Sequence, residues 1–115
     1  MSRDYRLYLD DMLESARKIL SYTQGMGLDQ FKASELVRDA VVFNLQIIGE
    51  AASHVPAEVR ARYPEVKWHR MVGLRNVIAH GYFVLVHERI WETIQRDLPA
   101  LPGQVERILA EWPEP

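Results

Sequence analysis

The sequence predicts an all-α fold, an antiparallel bundle of four to five helices, and three observations predict it. Apolar residues recur at three- and four-residue spacing over long stretches; no segment alternates with period two for long enough to build a sheet; and sparse glycines and prolines divide the chain into blocks of helical length. The 115 residues, 48% hydrophobic and 26% charged, suffice for one domain over 1–115, with a core large enough to need neither disulfide nor metal.

The elements follow in order. From Asp4 to Thr23, Leu9, Met12, Leu13, Ala16, Ile19 and Leu20 mark one face of an amphipathic helix, which Gly25 and Gly27 stop. Ser34 is an N-cap with Glu35 in the first turn, and Val37, Ala40, Val41, Ile47, Ile48, Ala51 and Val55 carry the most apolar helix as far as Pro56. A short helical turn follows at Ala57 to Arg62, bounded by Pro64. Next comes a helix from Trp68 to Ala79. A final element starts near His87 with Ile90, Trp91, Ile94 and Leu98 inward, is kinked or divided by Pro99 and Pro102, and is completed by Val105, Ile108, Leu109 and Trp112. Tyr82 to Val86 is β-prone and is read as a short extended connector. Three tryptophans and five tyrosines leave aromatic surface for self-association.

Composition excludes several functions. With no cysteine there is no thiolate catalysis, no Cys-ligated zinc and no disulfide framework, which fits a reducing compartment. A formal charge of −2 is too near neutrality for a protein that coats nucleic acid indiscriminately. The longest apolar run is five residues and the N-terminal stretch is studded with charge, so the sequence predicts no membrane span and no signal peptide, and a cytoplasmic protein.

Charge is not spread evenly. Between Val66 and His87 there is no acidic residue, while Lys67, Arg70, Arg75 and the histidines His69, His80 and His87 all fall there. That segment carries +3 and the rest of the chain −5, so the sequence predicts a local anion-attracting surface that includes Lys67 and Arg70. At its centre stands Arg75-Asn76-Val77-Ile78-Ala79-His80-Gly81-Tyr82. Arginine is a permanent cation whose planar fork matches two phosphate oxygens, histidine gives and takes a proton near neutral pH, and asparagine orients either. Asn76 and His80 share a helix face, whereas Arg75 and His80 stand about 140° apart on an ideal helix, so a cleft built from two copies is the more economical site. Gly81 is read as the helix stop.

Plainer roles exist for the same residues. His80 can serve as a cap contact, Arg75 can pair with a carboxylate, and Tyr82 can be an ordinary interface aromatic. Glu50 interrupts the apolar helix directly after Gly49, whose small size implies close approach of another backbone; the carboxylate is expected to pair with Arg75 or to orient His80. Asp10, Asp11 and Glu14 lack companions at ligand spacing and are read as the wet face of the first helix. No metal site and no cofactor are predicted.

The string from Arg75 to Tyr82 resembles the Arg-x4-His-x-Tyr signature of the HEPN superfamily, in its branch of small HepT-like ribonuclease toxins. Asp4-Tyr5 with Leu7, Leu9, Asp10, Asp11 and Met12 resembles the family's opening helix, and the run from Asn44 to Ala52 resembles its second-helix signature. Arg62-Tyr63-Pro64 followed by Trp68 and Gly73 resembles the approach to the motif, and Trp91, Asp97, Leu98 and Pro99 continue the likeness over nearly the whole chain. The resemblance implies a HEPN-type bundle that forms a homodimer with its motifs facing one cleft, and metal-independent cleavage of RNA. It also implies a partner antitoxin, the minimal nucleotidyltransferase MntA, which adds AMP to the motif tyrosine, here Tyr82. Under that reading His80 is base or acid, Arg75 holds the phosphate, and Asn76 orients the histidine or the phosphate. A different class of function fits the same residues: a non-catalytic dimer whose cleft binds a nucleotide or the nucleotidyltransferase, with Arg75 as anion anchor.

Overall fold

The computed structural model describes residues 4–76 and 83–112. Within them the chain is helical and contains no strand, in the order α1 (Tyr5–Tyr22), α2 (Leu28–Ala33), α3 (Glu35–Ser53), α4 (Ala57–Arg62), α5 (Trp68–Gly73), a 3-10 turn (Leu74–Asn76), α6 (Phe83–Arg96) and α7 (Leu101–Glu111). Four long helices, α1, α3, α6 and α7, make the bundle, and three six-residue helices occupy the connections, so the described residues hold seven helices where four to five were expected.

Local chemistry sets the boundaries. The Asp4 carboxylate accepts the Arg6 N–H at 2.9 Å and opens α1; at the other end the Thr23 hydroxyl donates to the Ile19 carbonyl at 2.8 Å, and Gly25 turns the chain at φ 77°. Ser34 Oγ accepts the Val37 N–H at 3.2 Å, the N-cap its position predicted. Between these two helices lies α2, which the glycines and the Ser34 cap conceal in the sequence. Its own signals are the Gln30 side chain, which accepts the Gly27 N–H at 2.8 Å, and Phe31, which is fully buried.

Two further outcomes concern the C-terminal half. Residues 83–86 form the opening of α6 rather than an extended connector: the β preference of Phe and Val gives way to a 14-residue helix whose Ile90 and Ile94 enter the core. The prolines divide the last element instead of kinking it. Pro102 stands in the first turn of α7, where a missing N–H costs nothing.

The core joins all of the long helices. Leu9, Met12, Ala16 and Ile19 of α1 are buried together with Leu45, Ile48 and Ala52 of α3, Ile94 of α6, and Leu101, Val105 and Ile108 of α7, each large side chain contributing roughly 1.5–3 kcal/mol by leaving water. α1 packs chiefly on α3 and then on α7, and α3 in turn carries α5 and the 3-10 turn. Arg6 ties the start of α1 to the end of α7, donating to the Leu109 and Trp112 carbonyls at 2.7 and 3.1 Å. α3 is therefore fixed on one side by α1 and presents its other side to the segment that carries Arg75.

Candidate active site

The contact that positions Arg75 is made by an absence of side chain. A Cβ built on Gly49 would meet the Arg75 backbone nitrogen at 2.5 Å, the Arg75 Cβ at 3.0 Å and the Met71 carbonyl at 3.1 Å. Glycine at this point of α3 lets the 3-10 turn lie against the helix backbone, the close approach its sequence position implied. One residue on, the Glu50 carboxylate turns outward and places Oε2 3.5 Å from Arg75 Nη1. Of the two partners expected for Glu50, Arg75 is thus engaged; the other, His80, lies outside the described residues, as do Gly81 and Tyr82. Asn76 ends the 3-10 turn and is exposed beside Arg75.

Glu50 is held from a second direction that the sequence reading missed. His54, the C-cap of α3, brings Nε2 to 3.0 Å from Glu50 Oε1, and its ring stacks on Tyr8 of α1 with centroids 4.5 Å apart and planes 12° from parallel. A carboxylate only accepts, so Nε2 is the protonated nitrogen of this contact. The bond from His54 chiefly holds the Glu50 carboxyl below its ordinary range, and the charge of Arg75 acts in the same direction. The i,i+4 spacing of Glu50 and His54 on a helix was the available signal.

Lys67 and Arg70 stand elsewhere. Lys67 Nζ is 3.2 Å from Asp97 Oδ1, and Arg70 Nη2 is 2.9 Å from Asp97 Oδ2, the latter an ion pair without hydrogen-bond alignment. Asp97 sits at the end of α6 with only 2% of its side chain exposed, and a carboxylate so buried requires a cation. The stretch that is acid-free in sequence is thus not free of carboxylates in space. In space, the three cations of the acid-free segment face two carboxylates brought in from other helices.

Basic character survives on the neighbouring face. Arg60, Lys67, His69 and Arg70 line an open groove of about 610 Å³ together with Trp68 and Val72, with no acidic residue among the described residues of its walls. Among the described residues the Arg60 Nε is buried without a hydrogen-bond partner. A smaller hollow of about 310 Å³ lies beside Glu50, between Tyr8 on α1 and Phe43 and Ile47 on α3. Among the described residues no three carboxylates or histidines gather as metal ligands, Asp10, Asp11 and Glu14 included, and no helix is long and apolar enough to cross a membrane.

An all-α bundle with no strand among the described residues is consistent with the HEPN class. The profile of the family described as "Ribonuclease HepT-like" matches residues 12–108, and the chain belongs to that family. Among curated proteins it is 36% identical to "Putative RNase MJ1380" of Methanocaldococcus jannaschii, over 92% of this chain and 97% of the relative. It is 31% identical to "Probable ribonuclease HepT" of Thermococcus cleftensis, over 94% and 98%, and 34% identical to "Putative RNase TTE0752" of Caldanaerobacter subterraneus, over 90% and 93%. No solved structure matches the chain.

Proposed function

We propose that this protein is a metal-independent endoribonuclease acting in the cytoplasm as the toxin of a toxin–antitoxin pair. The observation that carries the reading is the fixed, half-exposed Arg75, whose guanidinium meets Glu50 and, among the described residues, keeps donors for a phosphate, in a chain of the HepT-like ribonuclease family. RNA supplies its own nucleophile. A base takes the 2′-hydroxyl proton, the oxygen attacks the adjacent phosphorus, and an acid protonates the departing 5′-oxygen. His80 is base or acid in this scheme, Arg75 stabilises charge building on the phosphate oxygens, and Asn76 orients one or the other. Lys67, Arg70 and Arg60 offer the flanking strand a groove with no carboxylate among the described residues of its walls.

A homodimer is part of the reading. Leu36 and Phe43, 80% and 62% exposed, share a face of α3 with Ile47 and Glu50, so an apolar stripe runs to the carboxylate that holds Arg75. A second copy covering that stripe would bring two Arg75 sites together. A nucleotidyltransferase of the MntA type is the antitoxin: AMP added to Tyr82, two residues beyond His80, carries phosphate and base into the cleft and competes with RNA for Arg75.

The test is cleavage of RNA by the purified chain in the presence of EDTA, with the product ends identified. Cleavage that persists and leaves 2′,3′-cyclic phosphate is expected. Strict magnesium dependence with 5′-phosphate ends would overturn the mechanism.

A further inference from the structure

We infer that His54 is a positioning residue of the Arg75 site and that it acts through Glu50. Its importance for cleavage rests on the nuclease reading above; the positioning itself does not. Four contacts make one line across the molecule. The Tyr8 ring on α1 stacks on the His54 ring; His54 Nε2 bonds one oxygen of Glu50 at 3.0 Å; the other oxygen faces Arg75 at 3.5 Å; and the Arg75 backbone is seated on Gly49.

The need for such a tether follows from exposure. The side chains of Glu50 and Arg75 are 59% and 44% exposed, and two long side chains in water gain little from pairing, because the attraction is screened and both lose rotamer freedom. His54 alters that balance. As the C-cap its backbone is fixed by N–H bonds to the Ala51 and Ala52 carbonyls, and the stack on Tyr8 fixes its ring plane. A donor held in this way costs little further entropy when it binds Glu50. It confines the carboxylate to the rotamer that meets Arg75, and the guanidinium keeps one orientation with its remaining donors directed away from Glu50.

Two substitutions separate the donor from the ring. His54→Phe keeps an aromatic face for Tyr8 and removes the N–H; His54→Gln gives up the ring and keeps an amide N–H at comparable reach. In the full chain, the Arg75 Nε–Hε resonance reports the guanidinium directly, and cleavage of a short RNA reports its use. His54→Phe is expected to shift and broaden that resonance and to lower kcat about tenfold with KM little changed, while His54→Gln stays within about threefold of wild type. In a Glu50→Gln background, His54→Phe is expected to add nothing further. An unchanged Arg75 resonance in His54→Phe, or a loss that adds fully to that of Glu50→Gln, would overturn the inference. A wild-type chain that cuts no RNA would defeat the nuclease reading alone, since the Arg75 resonance still decides whether His54 positions the guanidinium.

Discussion

Asp97 and Glu50 each receive cations from the same acid-free segment, yet they do different work because they differ in burial. Asp97 has 2% of its side chain exposed and takes both Lys67 and Arg70, whereas Glu50 is 59% exposed and faces Arg75 with one oxygen while His54 takes the other. A buried carboxylate without its cations is left desolvated and uncompensated; an exposed one returns to water. The first pair fixes the joint between α5 and the end of α6. The second is an exposed holder that an anion can compete with, as the role proposed for Arg75 requires.

The largest effect that sharpens this contrast concerns stability. Neutralising Lys67 and Arg70 together as Met is expected to cost about 3–5 kcal/mol, because Asp97 then stays buried and unpaired. Asp97→Asn leaves two exposed cations to the solvent and should cost on the order of 1 kcal/mol. Glu50→Gln should fall within about 1 kcal/mol of wild type. Urea unfolding of the variants measures all three, and an equal loss for the Lys67/Arg70 double variant and Glu50→Gln would break the contrast.

Gly49→Ala comes next. On an isolated helix alanine is preferred by about 1 kcal/mol, but here its Cβ would stand 2.5 Å from the Arg75 backbone nitrogen, so the crossing must open. We expect a net destabilisation of about 1–3 kcal/mol together with a loss of cleavage, both set by the displaced Arg75 backbone. A Gly49→Ala protein with raised stability and full cleavage would remove the crossing from the account.

The smallest effect is on pH. Burial, with Arg38 and Lys32 nearby, lowers the pKa of His87, so the unfolded chain takes up that proton more readily than the folded one. Stability is therefore retained above the ordinary histidine value near 6.5 and falls as pH drops below it toward the folded value. Glu50, whose carboxyl is held low, loses its contribution only as pH falls through the carboxylate range. Thermal midpoints of wild type and His87→Gln should differ in slope between pH 7 and 5, whereas Glu50→Gln should leave that slope unchanged.

These contrasts also show what the sequence made legible. The long helices were readable because Leu9, Met12, Ala16 and Ile19, or Val41, Ile48 and Ala51, keep helical spacing with core burial. Gly49 and Glu50 were readable because a glycine and a carboxylate break an apolar helix side by side, and each proves to have a partner at Arg75. α2 was hidden because its six residues offer no full apolar period and its Gln30 cap follows a glycine. Asp97 was missed because its cations lie on another helix, where packing rather than spacing brings them together; His54 stands at i,i+4 from Glu50, a spacing left unused, and only its stack on Tyr8 of α1 depends on packing. Charge segregation along the chain accordingly overstated segregation in space.

The central claim is that Arg75 holds the phosphate that His80 helps to cleave. Single-turnover cleavage of RNA by folded Arg75→Ala and His80→Ala, each against wild type, tests it most directly. Each variant is expected to lose about 100-fold or more while the helical signal stays intact. Near-wild-type cleavage by either folded variant would contradict the account.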